Sequence, residues 1–465
     1  MKIKLILASL TALAAGAIFV LGQDKIGGEI IKPKGNPKMA VIDFRGGGDA
    51  QKFMTTFNTT LWDELKNSGA LEMVGKAFYP LEIPQQPQDF KPPTTAAPLR
   101  RGDPPRVVKN GPWLTDWSGP PTNTNFLTFG YTAVQDGRLL LRGFLFNVGQ
   151  PDVTSANLIG KLYVGSLDDD GAKKVAREFA ADILQQFGMK SLSGTKIYFV
   201  SDRSGNKEIW SMDYDGSNQK QMTNYKTISK DPAVSPDGKM FAFHTLTKTG
   251  WQIMVHSVET GKKLPFYNMV TSTIETPEFA PDGQHMLFSA TVDGWLQICM
   301  TDLNGGNLVR LSHVHALEVS PKVNPKTKRD VLFISGRSGI EQLWKMSIDG
   351  GEVERITNGE GYVANPSWNP NGQMIAFAWT RGFEPGAYNI FVMNLASKEL
   401  GQLTSSAGKN ESPFWAPDGA HLVYQNTPTH GRTAQIYTML ADGKNQQKLT
   451  TQGDNTQPVW SNAIN

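Results

Sequence analysis

Few residues in the chain have types and spacings that could support catalysis or metal binding. His313 and His315 form the one close pair among seven histidines and could share a metal ion, but protein metal sites normally need three or more ligands. We expect this pair to lie in a polar loop at the rim of the fold. Gly46–Gly48 lacks the lysine of a phosphate loop, and no Gly-x-Ser-x-Gly elbow occurs. These patterns predict no catalytic residue, no metal and no cofactor.

Another set of polar residues has the regular spacing expected of a binding surface. A phrase that recurs six times in the C-terminal half begins with a proline, and the residue before that proline is always polar. These ring residues are Asp231, Thr276, Ser320, Asn365, Ser412 and Gln457. The residues that precede them and complete the candidate partner-binding set are Lys230, Glu275, Glu411 and Thr456.

Two interpretations of this set remain open. The side chains could receive a partner at the mouth of a channel, or they could satisfy backbone groups where strands begin. Lys230, Glu275 and Glu411 favour binding, because backbone pairing does not require a charge.

The elements that position these residues are predicted by the recurring phrase itself. After the first proline come an apolar residue two positions on, a small residue and usually an Asp-Gly or Asn-Gly turn, as in Pro232–Gly238 and Pro413–Gly419. Strand-like runs such as Met240–Phe243 and Gln252–Met254 follow. The first prolines are spaced 45, 44, 45, 47 and 45 residues apart. A period of about 40–45 residues with internal strands and turns is typical of propeller blades.

A count of six blades requires the two ends of the chain to complete one blade. Lys196–Val200 and Glu208–Met212 match the two strands that follow the turn, but no proline strand precedes them. Gln457–Ser461 is a proline strand with no strands after it. We therefore predict that the C-terminal strand pairs into the first blade, which closes the ring and removes a free sheet edge.

The residues before the repeats predict a small α/β domain over 38–190. Its predicted strands and helices are Lys38–Phe44, Asp49–Asn67, Phe126–Val134, Arg138–Val148, Ala156–Gly165 and Asp168–Gly188. Asp136-Gly137 is a hairpin signal, and eight prolines over Pro80–Pro105 indicate an extended loop. The fold class is therefore mainly β, with this domain followed by a six-bladed β-propeller over 195–465.

The first 22 residues have the features of a secretion signal. Lys2 and Lys4 precede the apolar run Leu5–Leu21, and a polar, flexible arm over 23–37 follows. An uncleaved membrane anchor is the alternative interpretation, although the run is short for a span and no stop-transfer pattern follows it. No other segment is apolar enough to cross a bilayer, so we expect no membrane span after cleavage.

Charge and cysteine content narrow the classes of function. The formal net charge of +3 is small for 465 residues and gives no support to nucleic-acid binding. Cys299 is the only cysteine and occupies a repeat position that is otherwise filled by large apolar residues. We expect it to be buried as a small hydrophobic residue and not to act as a nucleophile.

The segment Ser201–Gly216 and the following Ser235–Gly238 resemble the repeats of the TolB family, the periplasmic propellers of the Tol-Pal envelope system. The order of export signal, small α/β domain and six blades makes the resemblance more specific. It implies a periplasmic, non-enzymatic scaffold whose propeller mouth receives the peptidoglycan-associated lipoprotein Pal. It also implies that residues 23–36 engage the inner-membrane protein TolA. We expect a monomer.

Two other classes of function remain open from the sequence. An exported propeller enzyme, a hydrolase or lyase, could act on a polysaccharide or peptide in the channel, and a cluster of acids or histidines facing the channel would favour it. A binder of small molecules or metals is the third possibility. An open polar mouth that captures a protein would favour the scaffold.

Overall fold

The computed structural model describes residues 35–99, 104–382, 386–405 and 408–463. The chain forms two compact units, the first ending at Ser193 and the second beginning at Gly194. The predicted signal and the predicted arm up to residue 34 lie outside the described residues.

The first unit is a mixed sheet with two long helices on one face. Its strands are β1 (Lys38–Val41), β2 (Glu72–Met73), β3 (Thr94–Ala96), β4 (Arg106–Val108), β5 (Phe126–Gln135), β6 (Arg138–Asn147) and β7 (Asn157–Ser166). Its α-helices are α1 (Met54–Asn67), α2 (Thr115–Ser118), α3 (Val153–Ala156) and α4 (Asp169–Gln186), and 3-10 helices span Gly48–Phe53, Lys76–Phe78 and Pro87–Asp89. The main sheet has the order β2-β1-β5-β6-β7, and β3 pairs with β4 separately.

Helix α1 buries the apolar stripe that its sequence predicts. Phe57, Leu61 and Leu65 are fully buried at a spacing of four residues. The helix predicted from Asp49 begins as a 3-10 helix, in which the Ala50 N–H donates to the Gly47 carbonyl at 3.2 Å. No side chain caps that end, and the bond of the tighter 3-10 turn gives the Ala50 N–H a backbone partner instead.

In this unit the predicted hairpin is confirmed, whereas the predicted loop contains a short strand and a packed side chain. Strands β5 and β6 meet at Asp136 and Gly137, whose φ angles of 51° and 68° suit the two-residue turn that joins twisted strands. The proline-rich segment is more ordered than a plain loop, because it contributes β3 to a hairpin with β4. Its Phe90 also packs in the cluster on the sheet face opposite α1.

The second unit consists of six four-stranded sheets, which we number as blades I to VI. Blade I contains β8 (Lys196–Ser201), β9 (Glu208–Asp213) and β10 (Lys220–Gln221), and blade II contains β11 (Ser229–Val234), β12 (Met240–Thr247), β13 (Gly250–Ser257) and β14 (Lys263–Leu264). Blade III contains β15 (Ile274–Phe279), β16 (His285–Val292), β17 (Trp295–Asp302) and β18 (Val309–Arg310), and blade IV contains β19 (Glu318–Val323), β20 (Asp330–Ser335), β21 (Gln342–Ser347) and β22 (Glu354–Arg355). Blade V contains β23 (Val363–Trp368), β24 (Met374–Trp379), β25 (Asn389–Asn394) and β26 (Leu400–Gln402), and blade VI contains β27 (Gly408–Trp415), β28 (His421–Pro428), β29 (Gln435–Leu440) and β30 (Gln447–Lys448).

The C-terminal strand closes the ring as predicted. Strand β31 (Asn455–Trp460) pairs antiparallel with β8, so that blade I has the order β10-β9-β8-β31. Beyond the ladder, the Ser461 N–H donates to the Lys196 carbonyl at 2.8 Å and the Trp460 indole donates to the Thr195 hydroxyl at 2.9 Å. The predicted six-bladed fold class is confirmed.

A repeated side-chain bridge explains the polar residue near the start of the third strand of most blades, counted from the propeller axis. The side-chain oxygen of this polar residue accepts a hydrogen bond of 2.6–3.1 Å from a threonine or serine hydroxyl. The same hydroxyl accepts a hydrogen bond from a backbone N–H at 2.9 Å. The bridging pairs are Glu208–Thr223, Gln297–Ser312, Gln342–Thr357, Asn389–Thr404 and Gln435–Thr450. In blade II, Asn268 replaces this bridge by bonding both backbone groups of Ile253.

Cys299 lies in the apolar layer around blades II and III, as the repeat position predicts. It is 1% exposed and packs with Phe288 and other buried residues. Burial raises the pKa of its thiol to about 11, so it stays protonated at neutral pH and is a poor nucleophile.

Candidate functional site

The six ring residues share an unusual backbone conformation at the start of the inner strands. Each has a positive φ, between 49° and 58°. In each blade the register of the inner strand shifts across the following proline. Proline has no N–H to donate to the ladder, so the strand bulges at this position. The bulge places a residue from every blade beside the propeller axis.

The ring residues line one central cavity, at the end of the propeller that we call the mouth. Five of the following prolines and the side chains of Lys322, Phe414 and Val459 complete its lining. The cavity volume is about 70 Å³, roughly the space of two water molecules in the liquid. Small-molecule sites usually have volumes of about 300–1,000 Å³. The central cavity is therefore smaller than a typical small-molecule site.

Hydrogen bonds within the ring join neighbouring blades. The Asp231 N–H donates to Gln457 Oε1 at 3.0 Å, and the Gln457 amide donates back to the Asp231 carboxylate. The Gln457 N–H donates to Gln425 Oε1 at 2.7 Å, and the Ser320 N–H donates to the Thr276 hydroxyl at 3.3 Å. The side chains of Gln457, Thr276 and Gln425, the last from strand β28, thus satisfy backbone N–H groups of ring residues in the neighbouring blade.

A buried ion pair lies two residues after the ring positions of blades III and IV. Lys322 Nζ is 2.6 Å from Glu278 Oε2, both side chains are less than a fifth exposed, and the ammonium lies 5.7 Å from the centre of the Phe414 ring. Burial raises the pKa of Glu278, and the charge and hydrogen bond of Lys322 oppose that shift. This pair was not predicted from the sequence. Its signal is two opposite charges at the same repeat position of adjacent blades, 44 residues apart.

Lys230 and Glu275 lie beside the ring rather than in the central cavity. They line a separate cavity of about 280 Å³ between blades II and III, here called side pocket II–III, together with Asp231, His244 and Trp251. His244 Nδ1 is 3.1 Å from Asp231 Oδ2. Burial raises the pKa of Glu275 and the charge of Asp231 adds to this, whereas His244 and Lys230 oppose it.

The two remaining members of the candidate set belong to blades VI and I. Glu411 Oε2 accepts a hydrogen bond from the Gln425 amide at 3.2 Å. Burial raises the pKa of Glu411, and Lys409 opposes the shift. Thr456 pairs with Val200 in the strand that closes blade I. The structure therefore brings the ring residues together around one axis and distributes the four residues before them among different surroundings.

A second side cavity was not predicted from the sequence. Side pocket IV–V, between blades IV and V, has a volume of about 270 Å³ and reaches ring residues Ser320 and Asn365. Glu341, Tyr362 and Tyr388 also line it. Glu341 and Tyr388 share one repeat position, directly before Gln342 and Asn389 at the start of β21 and β25. The residue type at that position differs from blade to blade, so the repeat alone did not mark it as a site.

The structure places the predicted histidine pair on the surface, where His313 and His315 are both exposed. Within the described ranges, no group of three or more His, Cys, Asp or Glu residues is arranged to hold a metal ion. A membrane-spanning helix of sufficient length and apolar character is likewise not found in the part of the chain that the structure describes.

A family model and two sequence relatives name the same family. A family model described as the TolB beta propeller domain matches residues 186–464, more than half of the chain. The chain is 33% identical over 213 residues to Protein TolB homolog of Chlorobium chlorochromatii (strain CaD3), with 46% of each protein covered. It is 32% identical over 310 residues to Protein TolB homolog of Chlorobium luteolum (strain DSM 273 / BCRC 81028 / 2530), with 65% of this chain and 68% of the relative covered.

The alignment to the Chlorobium chlorochromatii relative thus spans about half the length of that protein. A solved structure, that of TolB from Acinetobacter baumannii, aligns with a TM-score of 0.72 over 93% of this chain and 98% of its own. Its sequence identity is 19%, so this likeness shows the shared fold.

Proposed function

The chain belongs to the TolB beta-propeller family, as its sequence predicted, and from that premise we propose that it is a periplasmic protein-interaction scaffold of the Tol-Pal envelope system. In this proposal the mouth docks a peptidoglycan-associated lipoprotein without catalytic turnover. The docking supports envelope integrity and cell division.

The observation that carries the proposal is the shape of the mouth. Its central cavity is smaller than a typical small-molecule site, while two larger side pockets flank the ring. A face with a small central cavity and two larger recesses beside it suits a protein partner that inserts several side chains at once. Buried anchor side chains of this kind supply most of the binding energy in protein interfaces.

We include a second contact in the proposal, in which residues 23–36 engage a TolA-like inner-membrane protein. The family resemblance alone supports this contact, since most of the segment lies outside the described residues.

The experiment that tests docking measures binding of the soluble domain of the Pal-like lipoprotein from the same genome. We expect Glu275→Arg/Glu411→Arg to weaken binding strongly, because two partly buried carboxylates at the mouth become cations. The matched control is Glu259→Arg, which reverses an exposed charge in the turn after β13. No binding by the wild type would rule out lipoprotein docking, and equal binding by both variants would place the interface elsewhere.

One observation favours the enzymatic alternative. Side pocket II–III gathers Asp231, Glu275 and His244, which is the kind of acid and histidine cluster that a propeller hydrolase or lyase would use. Turnover of an envelope polysaccharide or peptide that is lost in Glu275→Gln would support this alternative over the scaffold.

A further inference from the structure

Side pocket IV–V has an apolar floor and a polar rim. Its floor is formed by Leu317, Val319, Ile334 and Val363. Ile334 and Val363 are almost fully buried, whereas Tyr362 is 44% exposed at the opening. Ring residues Ser320 and Asn365 form one wall, which makes the pocket continuous with the mouth.

The Glu341 carboxylate is held at this pocket without a partner of its own. Its backbone is fixed, because its carbonyl accepts the Val363 N–H at 3.0 Å and the Gln342 amide at 3.1 Å. Its carboxylate, however, makes no hydrogen bond or ion pair with any residue in the described ranges. A partly buried charge of this kind gains most from a ligand of opposite sign.

A second acid adds to the negative charge at the pocket. Burial raises the pKa of the Tyr388 phenol, and the charges of Glu411 and then Glu341 raise it further. Glu411 follows Asn410, whose N–H donates to the Tyr388 carbonyl at 2.8 Å. Lys409 is the cation that opposes the pKa shift of Glu411. No such cation is found next to Glu341 among the described residues.

We infer that side pocket IV–V binds an arginine side chain of the docking protein, a refinement that rests on the proposed docking function. The aliphatic stem packs on the apolar floor, and the guanidinium reaches the Glu341 carboxylate between the rings of Tyr362 and Tyr388. Arginine suits this site because its planar, weakly hydrated head stacks on aromatic rings and donates two parallel bonds to a carboxylate.

Side pocket II–III differs from this site in its charge. The Glu275 carboxylate there already lies near Lys230 and His244, which lower its pKa against the effect of burial. Asp231 adds a second carboxylate to side pocket II–III, so acids and cations already partly balance there, whereas Glu341 has no ion pair among the described residues.

The first test uses the full-length protein labelled with 3-fluorotyrosine and titrated with N-acetyl-L-arginine amide. Fluorine signals of Tyr362 and Tyr388 are assigned from the Tyr362→Phe and Tyr388→Phe variants, among 11 tyrosines. We expect both signals to shift saturably, with a dissociation constant on the order of millimolar. N-acetyl-L-citrulline amide, a neutral isostere, is expected to cause no saturable shift.

Variants locate the charge that is responsible. Glu341→Gln should weaken the response several-fold, whereas Glu259→Gln, which removes an exposed charge elsewhere, should leave it unchanged. An absent response in the wild type, an equal response to citrulline amide, or an unaffected Glu341→Gln variant would each overturn the inference.

The second test measures the affinity for the soluble domain of the Pal-like lipoprotein. We expect Glu341→Gln to raise the dissociation constant about tenfold and to reduce its dependence on salt, with Glu259→Gln unchanged. Equal binding by wild type and Glu341→Gln overturns the pocket assignment while docking stands. If the wild type does not bind the lipoprotein, the docking function fails, and the arginine titration alone decides the pocket.

Discussion

At the scale of single residues, the ring combines an unusual backbone with polar side chains. Thr276 has a φ of 52°, although a branched side chain is unfavourable in that region. Its hydroxyl lies 2.8 Å from that of Ser289 and also accepts the Ser320 N–H, which helps to offset the strain. Residues with such an unfavourable backbone conformation usually occur where many surrounding contacts fix them, as at binding surfaces.

Asn365 offers a test of the strain at the ring. Asn365→Ile places a branched side chain at a φ of 51° and should lower the free energy of unfolding by about 1–3 kcal/mol. Asn365→Gly tolerates this φ and should change it by less than about 1 kcal/mol. Chemical denaturation measures both variants. A similar loss in the two would show that side-chain contacts, not backbone strain, dominate at this position.

The ion pair beyond the ring gives a prediction for stability. Lys322→Met leaves Glu278 buried without its cation and should lower the free energy of unfolding by about 3 kcal/mol at pH 7. The control is Lys345→Met, which removes the more exposed pair with Glu354 and should cost less than about 1 kcal/mol.

The same variant should depend on pH in a defined direction. Burial raises the folded-state pKa of Glu278 above its unfolded value, and losing Lys322 raises it further. The folded state then holds the proton more tightly than the unfolded state. Stability of the variant should therefore fall as pH rises from about 4.5 towards neutrality. Denaturation at pH 4.5 and pH 7 checks this, and an equal loss at both values would contradict it.

At the scale of elements, the short strand β31 holds the propeller together. It supplies the inner strand of blade I from residues more than 250 positions away from its partner β8. Without β31 the backbone N–H and C=O groups of β8 that now pair with it would face solvent as a free sheet edge. The hydrogen bond from the Trp460 indole to the Thr195 hydroxyl would also be lost.

Truncation tests this closure. Deleting residues 455–465 should abolish the cooperative thermal transition of the propeller and promote association through the exposed edge. Deleting only residues 463–465 leaves β31 intact and serves as the control. Melting is followed by circular dichroism and association by gel filtration. If the longer truncation melts like the full chain, closure does not stabilise the fold.

The strands were predictable from the sequence to a greater extent than the site. The proline phrase, the turns and the polar residue of the third strand recur at a nearly fixed period. The strands predicted for one blade are therefore supported by the same pattern in the other blades. The positive φ of the ring arises from how proline interrupts the ladder, and no residue type marks it: Asp, Thr, Ser, Asn and Gln all occupy the position. Side pocket IV–V combines Tyr362 with Glu341 and Tyr388, which share a repeat position of no fixed residue type, so only the packed structure reveals the pocket.

At the scale of the whole molecule, the propeller has two different faces. The ring lies where the inner strands begin, and the antiparallel order places the turns between the second and third strands, such as Thr247–Gly250, at that same end. The Asp-Gly turns that follow the inner strands, such as Asp237-Gly238, lie at the opposite end. Both side pockets include ring residues, so they lie on the mouth side of the propeller.

Hydrogen–deuterium exchange of the complex with the Pal-like lipoprotein tests the central claim, that the mouth face docks a protein, most directly. We predict slower exchange in peptides that cover the starts of the inner strands and the turns at the mouth, including residues 226–231, 247–251 and 360–365. Peptides over the opposite turns, such as 236–239 and 281–284, should be unchanged. Protection confined to those opposite turns, or protection of neither face by a bound lipoprotein, would contradict docking at the mouth.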